Sequence, residues 1–233
     1  MKLVLRKTSL VDFPGLISAV LFFPGCNLRC PWCHNRELVN GEVNSAAEYV
    51  STDEALIFLS KRRFIVRGVV LSGGEPTLFA GLEKVIHEIK LLELKVKIDT
   101  NGLLPHVLET LINSEKSRPD YIAMDLKTDP RRYAELLPAD FFPAEAISGN
   151  YHKNTNPGEA IKRSAELIRS SGIAHEFRSL LLPHPQGTEP FFNESIKKTL
   201  AALAGDSPWH IRPFVPGNCL DPKWNQFPQI NAP

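Results

Sequence analysis

Short apolar runs alternate with amphipathic segments along most of this chain, and this alternation limits the folds that it can adopt. Runs typical of buried strands occur at residues 17–23, 68–74, 95–102, 121–128, 174–183 and 209–217. The segments between them carry apolar residues at helical spacing, for example Leu82, Val85, Ile86 and Ile89. Because strands separated by helices form parallel βαβ units, the pattern predicts an α/β fold with a parallel sheet.

The number of these units limits the architecture. Six units are too few for a closed eight-stranded barrel, which takes about 250 residues, and this chain has 233. We predict an incomplete (β/α)6-type TIM barrel with parallel strands, laterally open, in a single domain over residues 1–233. The core is expected at 15–216 and an extended or partly disordered tail at 217–233. Further predictions are a helix over 45–63 with Thr52 or Asp53 as its N-cap, a short helix over 129–137 and an irregular stretch over 141–158.

Charge and hydropathy exclude several classes of protein. The formal net charge of +1 gives no overall field that favours nucleic acid or an anionic membrane. Arg6 and Lys7 interrupt the apolar N-terminal run, which is unlike a secretory signal, and no apolar run is long enough to span a bilayer. We expect a cytoplasmic protein with neither nucleic acid nor a membrane as its partner.

Three of the four cysteines, Cys26, Cys30 and Cys33, lie in one loop after the first predicted strand, with C-x3-C-x2-C spacing. A reducing cytoplasm disfavours disulfides, so the cluster indicates metal ligation. A structural zinc site generally has four protein ligands, whereas three thiolates on a [4Fe-4S] cluster leave one iron open for a substrate or cofactor. Incidental cysteines and a zinc site with a distant fourth ligand remain alternatives. Cys219 is expected to be a lone buried or tail cysteine.

Polar and glycine-rich motifs follow the next three predicted strands. They are Gly73-Gly74-Glu75-Pro76, Asp99-Thr100-Asn101-Gly102 and Asp125-Leu126-Lys127. Active sites of parallel α/β folds lie at the carboxyl ends of the strands, so we expect these motifs to share one site with the cysteine loop. The paired glycines would let a ligand approach the backbone closely, and Glu75 would accept a hydrogen bond from an ammonium group.

Together these motifs resemble those of the radical S-adenosylmethionine enzymes. The segment "TSLVDFPGLISAVLFFPGCNLRCPWCHNRELV" is similar to the opening of anaerobic ribonucleoside-triphosphate reductase activating proteins and, more loosely, of pyruvate formate-lyase activating enzyme. The motifs G-G-E-P, D-T-N-G and D-L-K follow in the order of the family, so the resemblance covers residues 7–130. Beyond them it is limited to architecture and to fragments such as "EFRSLLLP" and "RPFVPGNCLDP".

The resemblance implies a mechanism and a set of ligands. Cys26, Cys30 and Cys33 would hold a [4Fe-4S] cluster whose open iron is chelated by the amino and carboxylate groups of S-adenosylmethionine. An electron from the cluster would break the sulfonium C–S bond and give methionine and a 5′-deoxyadenosyl radical, which abstracts hydrogen. The residues expected around the cofactor are Trp32, His34, Asn35, Gly73, Gly74, Glu75, Asp99, Thr100, Asn101, Asp125 and Lys127.

Several of these residues have alternative interpretations. Trp32 would pack on adenine or belong to the core, and His34 would bond the cofactor or be an ordinary surface residue. Asp99 and Asp125 would repel each other unless a cation lies between them. Lys127 is one candidate for that cation. The resemblance also implies a monovalent cation site at these positions, and a structural ion pair is the alternative.

The resemblance also indicates the substrate. It implies a backbone glycine of a partner glycyl-radical enzyme, with anaerobic ribonucleoside-triphosphate reductase favoured, and a flavodoxin- or ferredoxin-type electron donor. The alternatives are a radical enzyme acting on a small molecule, such as a 7-carboxy-7-deazaguanine synthase-like enzyme, and a non-catalytic iron–sulfur or zinc-binding module. In the pyruvate formate-lyase relatives a histidine near the last strand contacts the cofactor, and Arg212 is the candidate substitute here.

Overall fold

Eight strands in one sheet form the framework of the protein. The computed structural model describes residues 2–40, 49–138, 156–185 and 187–230. Most of the predicted irregular stretch at 141–158, and the first part of the predicted 45–63 helix, lie outside the described residues. The strands are β1 (Lys2–Ser9), β2 (Ser18–Phe23), β3 (Tyr49–Ser51), β4 (Gly68–Gly73), β5 (Lys95–Thr100), β6 (Tyr121–Asp125), β7 (Ala174–Leu181) and β8 (Trp209–Pro213).

Six of these strands run parallel, as the sequence pattern predicts. The order across the sheet is β3-β1-β2-β4-β5-β6-β7-β8, and neighbours from β2 to β8 are parallel. β1 pairs antiparallel with both β2 and β3. In the described chain the sheet ends at β3 and β8 without closing on itself, which confirms the prediction of an incomplete, laterally open α/β barrel.

Helices and turns connect the strands. They are α1 (Arg36–Val39), α2 (Thr52–Arg62), α3 (Leu82–Leu91), α4 (Pro105–Asn113), α5 (Pro157–Ser170) and α6 (Glu194–Ala204), with 3-10 turns at Pro76–Leu78, Pro130–Leu136 and Pro222–Gln226. Proline begins α4 and α5, where its missing N–H removes no helical hydrogen bond. Among the described residues, no helix is long and apolar enough to cross a membrane.

The two faces of the sheet differ in chemistry. Val96 and Ile98 of β5 lie in an apolar cluster with residues of α2 and α3, and Ile122 of β6 lies in a second cluster with residues of α4 and α5. Side chains alternate between the faces along a strand. Lys97 and Asp99 of β5 and Asp125 of β6 therefore lie on the opposite, inner face.

Three expectations about individual elements are wrong. Tyr49–Ser51 forms β3 and not helix, and Ser51 is the N-cap of α2, because its side chain and Glu54 form a capping box. The tail is packed rather than extended, since Pro222–Gln226 forms a 3-10 turn that buries Trp224. The predicted short helix at 129–137, in contrast, is present as a 3-10 helix over Pro130–Leu136.

Candidate active site

The cysteine loop follows β2 and is fixed by hydrogen bonds to the elements around it. The N–H of Gly25 donates to the oxygen of Leu38 in α1 at 2.7 Å, and the N–H of Arg29 donates to Leu136 at 2.7 Å. The Arg29 guanidinium donates to the main-chain oxygen of Cys26 at 2.7 Å. Two distant segments and one of its own side chains thus hold the loop in shape.

Burial determines the chemistry of two of the thiols. All four cysteines are free. Burial raises the pKa of Cys26 to about 11 and the pKa of Cys30 to about 12. These two thiols therefore keep their protons at neutral pH until a metal or a cluster displaces them.

Two glycines let the end of β4 approach the start of the cysteine loop. The N–H of Glu75 donates to the oxygen of Gly25 at 2.9 Å, and Asn35 Nδ2 donates to the oxygen of Gly73 at 3.1 Å. A Cβ at Gly74 would overlap the main-chain oxygen of Gly25. Gly73 has a φ of +120°, a conformation that favours glycine. The Gly-Gly pair therefore has a structural function in this crossing.

Glu75 joins the ends of β4 and β5. It is 1% exposed, and its Oε1 accepts hydrogen bonds from Thr77 N at 3.2 Å, Thr77 Oγ1 at 2.5 Å and Thr100 Oγ1 at 2.8 Å. Its Oε2 accepts from the N–H of Asn101 at 2.7 Å. Burial raises the pKa of Glu75, although these donors act in the opposite direction. The contact to an ammonium group stays a prediction.

An alternating row of charges crosses the inner face of the sheet. Lys97 Nζ lies 2.9 Å from Asp99 Oδ1. Arg178 of β7 contacts both aspartates, with Nη1 3.3 Å from Asp99 Oδ1 and Nε 2.8 Å from Asp125 Oδ1. Lys127 Nζ lies 2.7 Å from Asp125 Oδ2. Burial alone would raise the pKa of Asp125, but the charges of Arg178 and Lys127 outweigh it and lower that pKa.

Arg178 supplies the cation expected between Asp99 and Asp125, and sequence reasoning did not identify it. The signal available was a charged residue in the middle of the apolar run "EFRSLLLP". Lys127 contacts Asp125 as predicted, but Asp99 pairs with Lys97 and Arg178. A structural ion-pair network is therefore present. Within the described ranges no three His, Cys, Asp or Glu side chains converge on a metal ion, and the monovalent cation stays a prediction.

One cavity of about 270 Å³ lies at the carboxyl ends of the parallel strands. Its wall includes every residue predicted as a cluster or cofactor ligand: Cys26, Cys30, Trp32, Cys33, His34, Asn35, Gly73, Gly74, Glu75, Asp99, Thr100, Asn101, Asp125 and Lys127. Residues that were not predicted complete it: Leu28, Val39, Ser72, Arg178 and Leu180. The cavity therefore brings three thiols together with glycine backbone and with the row of charges.

The C-terminal segment contacts the cysteine loop directly. The N–H of Leu220 donates to the oxygen of Cys33 at 2.9 Å, and the N–H of Asp221 donates to Pro31 at 2.9 Å. The ring centroids of Trp32 and Trp224 lie 5.2 Å apart. Trp32 is buried and also lines the cavity, so it belongs to the core and is still available to a ligand.

Arg212 and Cys219 do not line this cavity. Arg212 lines a neighbouring cavity of about 190 Å³ together with Trp32, Lys127 and Arg178, so its role as a substitute for the histidine of the relatives stays a prediction. Cys219 is 1% exposed. It is therefore a buried cysteine, as expected.

This chain is similar in sequence to proteins with three different names. A candidate glycyl-radical enzyme activating enzyme of Methanocaldococcus jannaschii is 29% identical over 226 residues, which cover 94% of this chain and 82% of that protein. A candidate GTP 3′,8-cyclase of Methanococcus maripaludis is 36% identical over 118 residues, or 48% of this chain and 37% of the relative. The 7-carboxy-7-deazaguanine synthase of Hyperthermus butylicus is 34% identical over 94 residues, or 40% of this chain and 38% of the relative.

Solved structures and a family profile agree with this architecture. Streptococcus suis SuiB, bound to S-adenosylmethionine or to precursor peptide SuiA, gives TM-scores of 0.50 and 0.52 at 17% identity. Each match covers 79% of this chain but only 38% and 35% of the SuiB chains, and it concerns the fold alone. Residues 20–188 match the profile of the Radical SAM superfamily. This chain therefore belongs to the radical SAM superfamily, whose members use a [4Fe-4S] cluster and S-adenosylmethionine.

Proposed function

We propose that this protein cleaves S-adenosylmethionine reductively on a [4Fe-4S] cluster held by Cys26, Cys30 and Cys33. The observation that supports this most is the single cavity that the three thiols share with the ends of β4, β5 and β6. When bound, the reduced cluster supplies the electron that breaks the sulfonium C–S bond and gives methionine and a 5′-deoxyadenosyl radical.

The residues around the cluster would bind and orient the cofactor. Gly73 and Gly74 bring bare backbone to the cavity wall, where the amino-acid end of S-adenosylmethionine can approach it. Lys127 offers a positive charge to the carboxylate of that end. Trp32 and His34 flank Cys33 and provide flat ring surfaces for the adenine. The chain thus contributes position and charge, while the bound groups supply the chemistry.

We further propose that the radical abstracts hydrogen from the backbone Cα of a glycine in a partner glycyl-radical enzyme. The support is the similarity, over 94% of this chain, to the M. jannaschii protein named for that activity. A laterally open barrel suits a protein loop as substrate better than a closed one does. Anaerobic ribonucleoside-triphosphate reductase is the partner to test first, with a flavodoxin- or ferredoxin-type electron donor in the cytoplasm.

The second candidate function is radical chemistry on a small molecule. It is favoured by the similarity to 7-carboxy-7-deazaguanine synthase and to GTP 3′,8-cyclase. Those alignments cover 40% and 48% of this chain, and a shared cluster-binding part would account for them under either proposal. The length of the M. jannaschii match therefore favours the activating enzyme.

Anaerobic reconstitution tests the cleavage reaction. We expect about four irons per chain, and release of methionine from S-adenosylmethionine when the cluster is reduced. Cys30→Ala should abolish cleavage, whereas Cys219→Ala should retain it, because Cys219 is not part of the cavity wall. Full cleavage by the Cys30→Ala protein would contradict the cluster assignment.

Electron paramagnetic resonance tests the target. The reduced, cofactor-loaded protein is mixed with a purified anaerobic ribonucleoside-triphosphate reductase from the same organism. We expect a glycyl radical signal, and none when the activator carries Cys30→Ala. Active cleavage without any glycyl signal would reject this partner and favour the small-molecule function.

A further inference from the structure

One buried amide in the cysteine loop lacks a hydrogen-bond acceptor. Asn27 is 2% exposed, and its Nδ2 has no partner among the residues that the structure describes. A buried donor without an acceptor destabilises the fold, so such a group calls for a specific explanation. Asn27 directly follows Cys26 in the chain, so a group held by this loop is the first acceptor to consider.

Neighbouring hydrogen bonds determine which atom of the Asn27 amide lacks a partner. The main-chain N–H of Leu103 donates to Asn101 Oδ1 at 3.0 Å, so Asn101 must use its Nδ2 elsewhere. That Nδ2 donates to Asn27 Oδ1 at 2.7 Å. Flipping the Asn27 amide would set two donors against each other. Because the assignment begins at a main-chain N–H, whose role is fixed, Asn27 presents Nδ2 as the spare donor.

Glu75 holds this pair of amides in place from the other side. Its Oε2 accepts from the N–H of Asn101 at 2.7 Å, and both Glu75 and Asn101 are buried. A buried carboxylate therefore fixes Asn101, and Asn101 fixes Asn27. This arrangement keeps the spare donor in one orientation instead of leaving it free to rotate.

Two hydrogen-bond donors next to Asn27 approach a cysteine sulfur. Asn101 Nδ2, which bonds to Asn27, also lies 3.8 Å from Cys26 Sγ. The N–H of Leu28 lies 3.4 Å from the same sulfur. Asn101, which bonds to Asn27, and Leu28, which follows Asn27 in the chain, thus each place an N–H group near Cys26 Sγ. Thiolate and sulfide sulfurs of a bound cluster carry negative charge and accept such bonds more strongly than a thiol does.

We propose that Asn27 donates a hydrogen bond from Nδ2 to a sulfur of the bound cluster, and so raises the reduction potential of that cluster. This inference rests on the cluster of the proposed function. The acceptor is a sulfur of the bound cluster, because no atom of the described residues accepts from this amide. Reduction adds negative charge to these sulfurs, so a donor stabilises the reduced state more than the oxidised state. Asn27 then sets how readily the cluster accepts the electron that cleavage needs.

A redox titration followed by electron paramagnetic resonance tests this role. Asn27→Leu removes the donor at similar volume, and Asn27→Asp removes it while keeping an acceptor for Asn101. Both variants should show at least a tenfold lower ratio of reduced to oxidised cluster at a given potential, which is a shift of 59 mV for a one-electron couple. Asn113→Leu, which removes an exposed amide at the end of α4 and away from the cavity wall, should titrate like the wild type. Unchanged potentials in both Asn27 variants would overturn the proposal.

A measurement on the wild-type protein decides the matter if neither variant keeps a cluster. Asparagine carrying ¹⁵N in its side-chain amide produces a hyperfine coupling to the reduced cluster when that amide donates to a cluster sulfur. We expect two such couplings, from Asn27 and Asn101. A single coupling, or none, would show that Asn27 Nδ2 bonds to another acceptor and would overturn the proposal.

The failure of this inference can be told from the failure of the proposed function. A wild-type protein that assembles no four-iron cluster would contradict both the proposed function and the role of Asn27. A wild-type protein that assembles the cluster and cleaves S-adenosylmethionine, but shows no effect of Asn27 on potential or coupling, would remove the role of Asn27 alone.

Discussion

Arg178 balances the charges of the candidate active site. Its guanidinium lies between Asp99 and Asp125, at 3.3 Å and 2.8 Å from their carboxylate oxygens. Without it the two aspartates would depend on Lys97 and Lys127 at the ends of the row. Two carboxylates this close repel each other unless a cation separates them. The geometry of the charged part of the cavity wall therefore depends on a residue that was not predicted as a ligand.

Replacing Arg178 by glutamine should destabilise the protein by about 2–3 kcal/mol. The value is below that for a fully buried pair because the three side chains keep 16–29% exposure. The pKa of Asp125 is lowered in the folded protein, so its pairing contributes stability above the ordinary value of about 4 and loses it as the pH falls. The difference between wild type and variant should therefore shrink below that pH. Urea unfolding of the cluster-free proteins measures both effects.

Two variants control for the loss of an arginine as such. Arg67→Gln removes an exposed guanidinium and should change the free energy of unfolding by less than about 0.5 kcal/mol. Adding Asp125→Asn to Arg178→Gln should recover part of the loss, because one of the two repelling charges is gone. Additive effects in this double-mutant cycle would contradict the direct coupling of Arg178 and Asp125.

The site residues predicted from the sequence lie at or just after the carboxyl ends of strands, and the charged residues that were missed lie further inside the strands. Asp99 and Asp125 were identified because polar residues that end an apolar run stand out, and the carboxyl ends of parallel strands meet. Lys97 and Arg178 lie inside strands, where their importance depends on which face they occupy and on which strands are neighbours. Asn27 lay inside a recognised motif, but its unused donor becomes visible only once its surroundings are known.

At the scale of elements, the crossing of β4 with the cysteine loop requires a residue without a side chain. Gly74→Ala would push a Cβ into the main-chain oxygen of Gly25. We expect destabilisation by about 3 kcal/mol or more, together with fewer irons bound per chain, because the displaced segment carries the loop. Iron content and unfolding free energy measure the two effects.

Gly15→Ala is the matched control for this change. Gly15 has a φ of +74° and no atom within 4 Å of an added Cβ, so its cost is limited to about 1–2 kcal/mol of backbone strain. It lies before β2 and should leave iron binding unchanged. Equal loss of iron in both variants would show that general destabilisation, and not the crossing, is responsible.

The C-terminal segment should stabilise the bound cluster through the main chain of residue 220. Leu220→Pro removes the N–H that donates to Cys33 at 2.9 Å, whereas Leu220→Ala shortens the side chain and keeps the N–H. Leaving the Cys33 oxygen without this donor costs about 1–3 kcal/mol. We expect iron to pass to a chelator several-fold faster from the proline variant than from the alanine variant. Equal rates would mean that this bond does not restrain the cysteine loop.

Three parts of the fold were not predicted from the sequence, and the physical reasons are similar. β1 carries Lys2, Arg6 and Lys7, which break its apolar alternation, and it forms through antiparallel pairing with β2. β3 has three residues, too few to show a period. The tail has the proline and asparagine content of an extended segment, but Trp224 packs against Trp32, nearly 200 positions away in the chain. Contacts distant in sequence decided all three.

At the scale of the whole molecule, the candidate site lies at the carboxyl ends of strands that belong to two different apolar clusters. One cluster fixes β2, β4 and β5 with α2 and α3, and the other fixes β6 and β7 with α4, α5 and α6. The cysteine loop contributes Leu28, Cys30 and Trp32 to the second cluster, although it follows a strand of the first. Ligands that fill the cavity would therefore contact the second cluster directly, and the strands of the first cluster through the residues at the ends of β4 and β5.

Cofactor binding should for this reason stabilise the whole domain and not one loop. S-adenosylmethionine at 100 times its dissociation constant adds about 2.7 kcal/mol if it binds the native state alone. For a chain of this length that corresponds to a rise in melting temperature of roughly 5–10 °C. We expect this rise in the cluster-loaded protein under anaerobic conditions, and a smaller one in the cluster-free protein, which lacks the open iron that would chelate the cofactor. Equal rises in the two proteins would mean that the cofactor does not bind through the cluster. A rise limited to part of the unfolding transition would mean that the two halves of the core unfold separately.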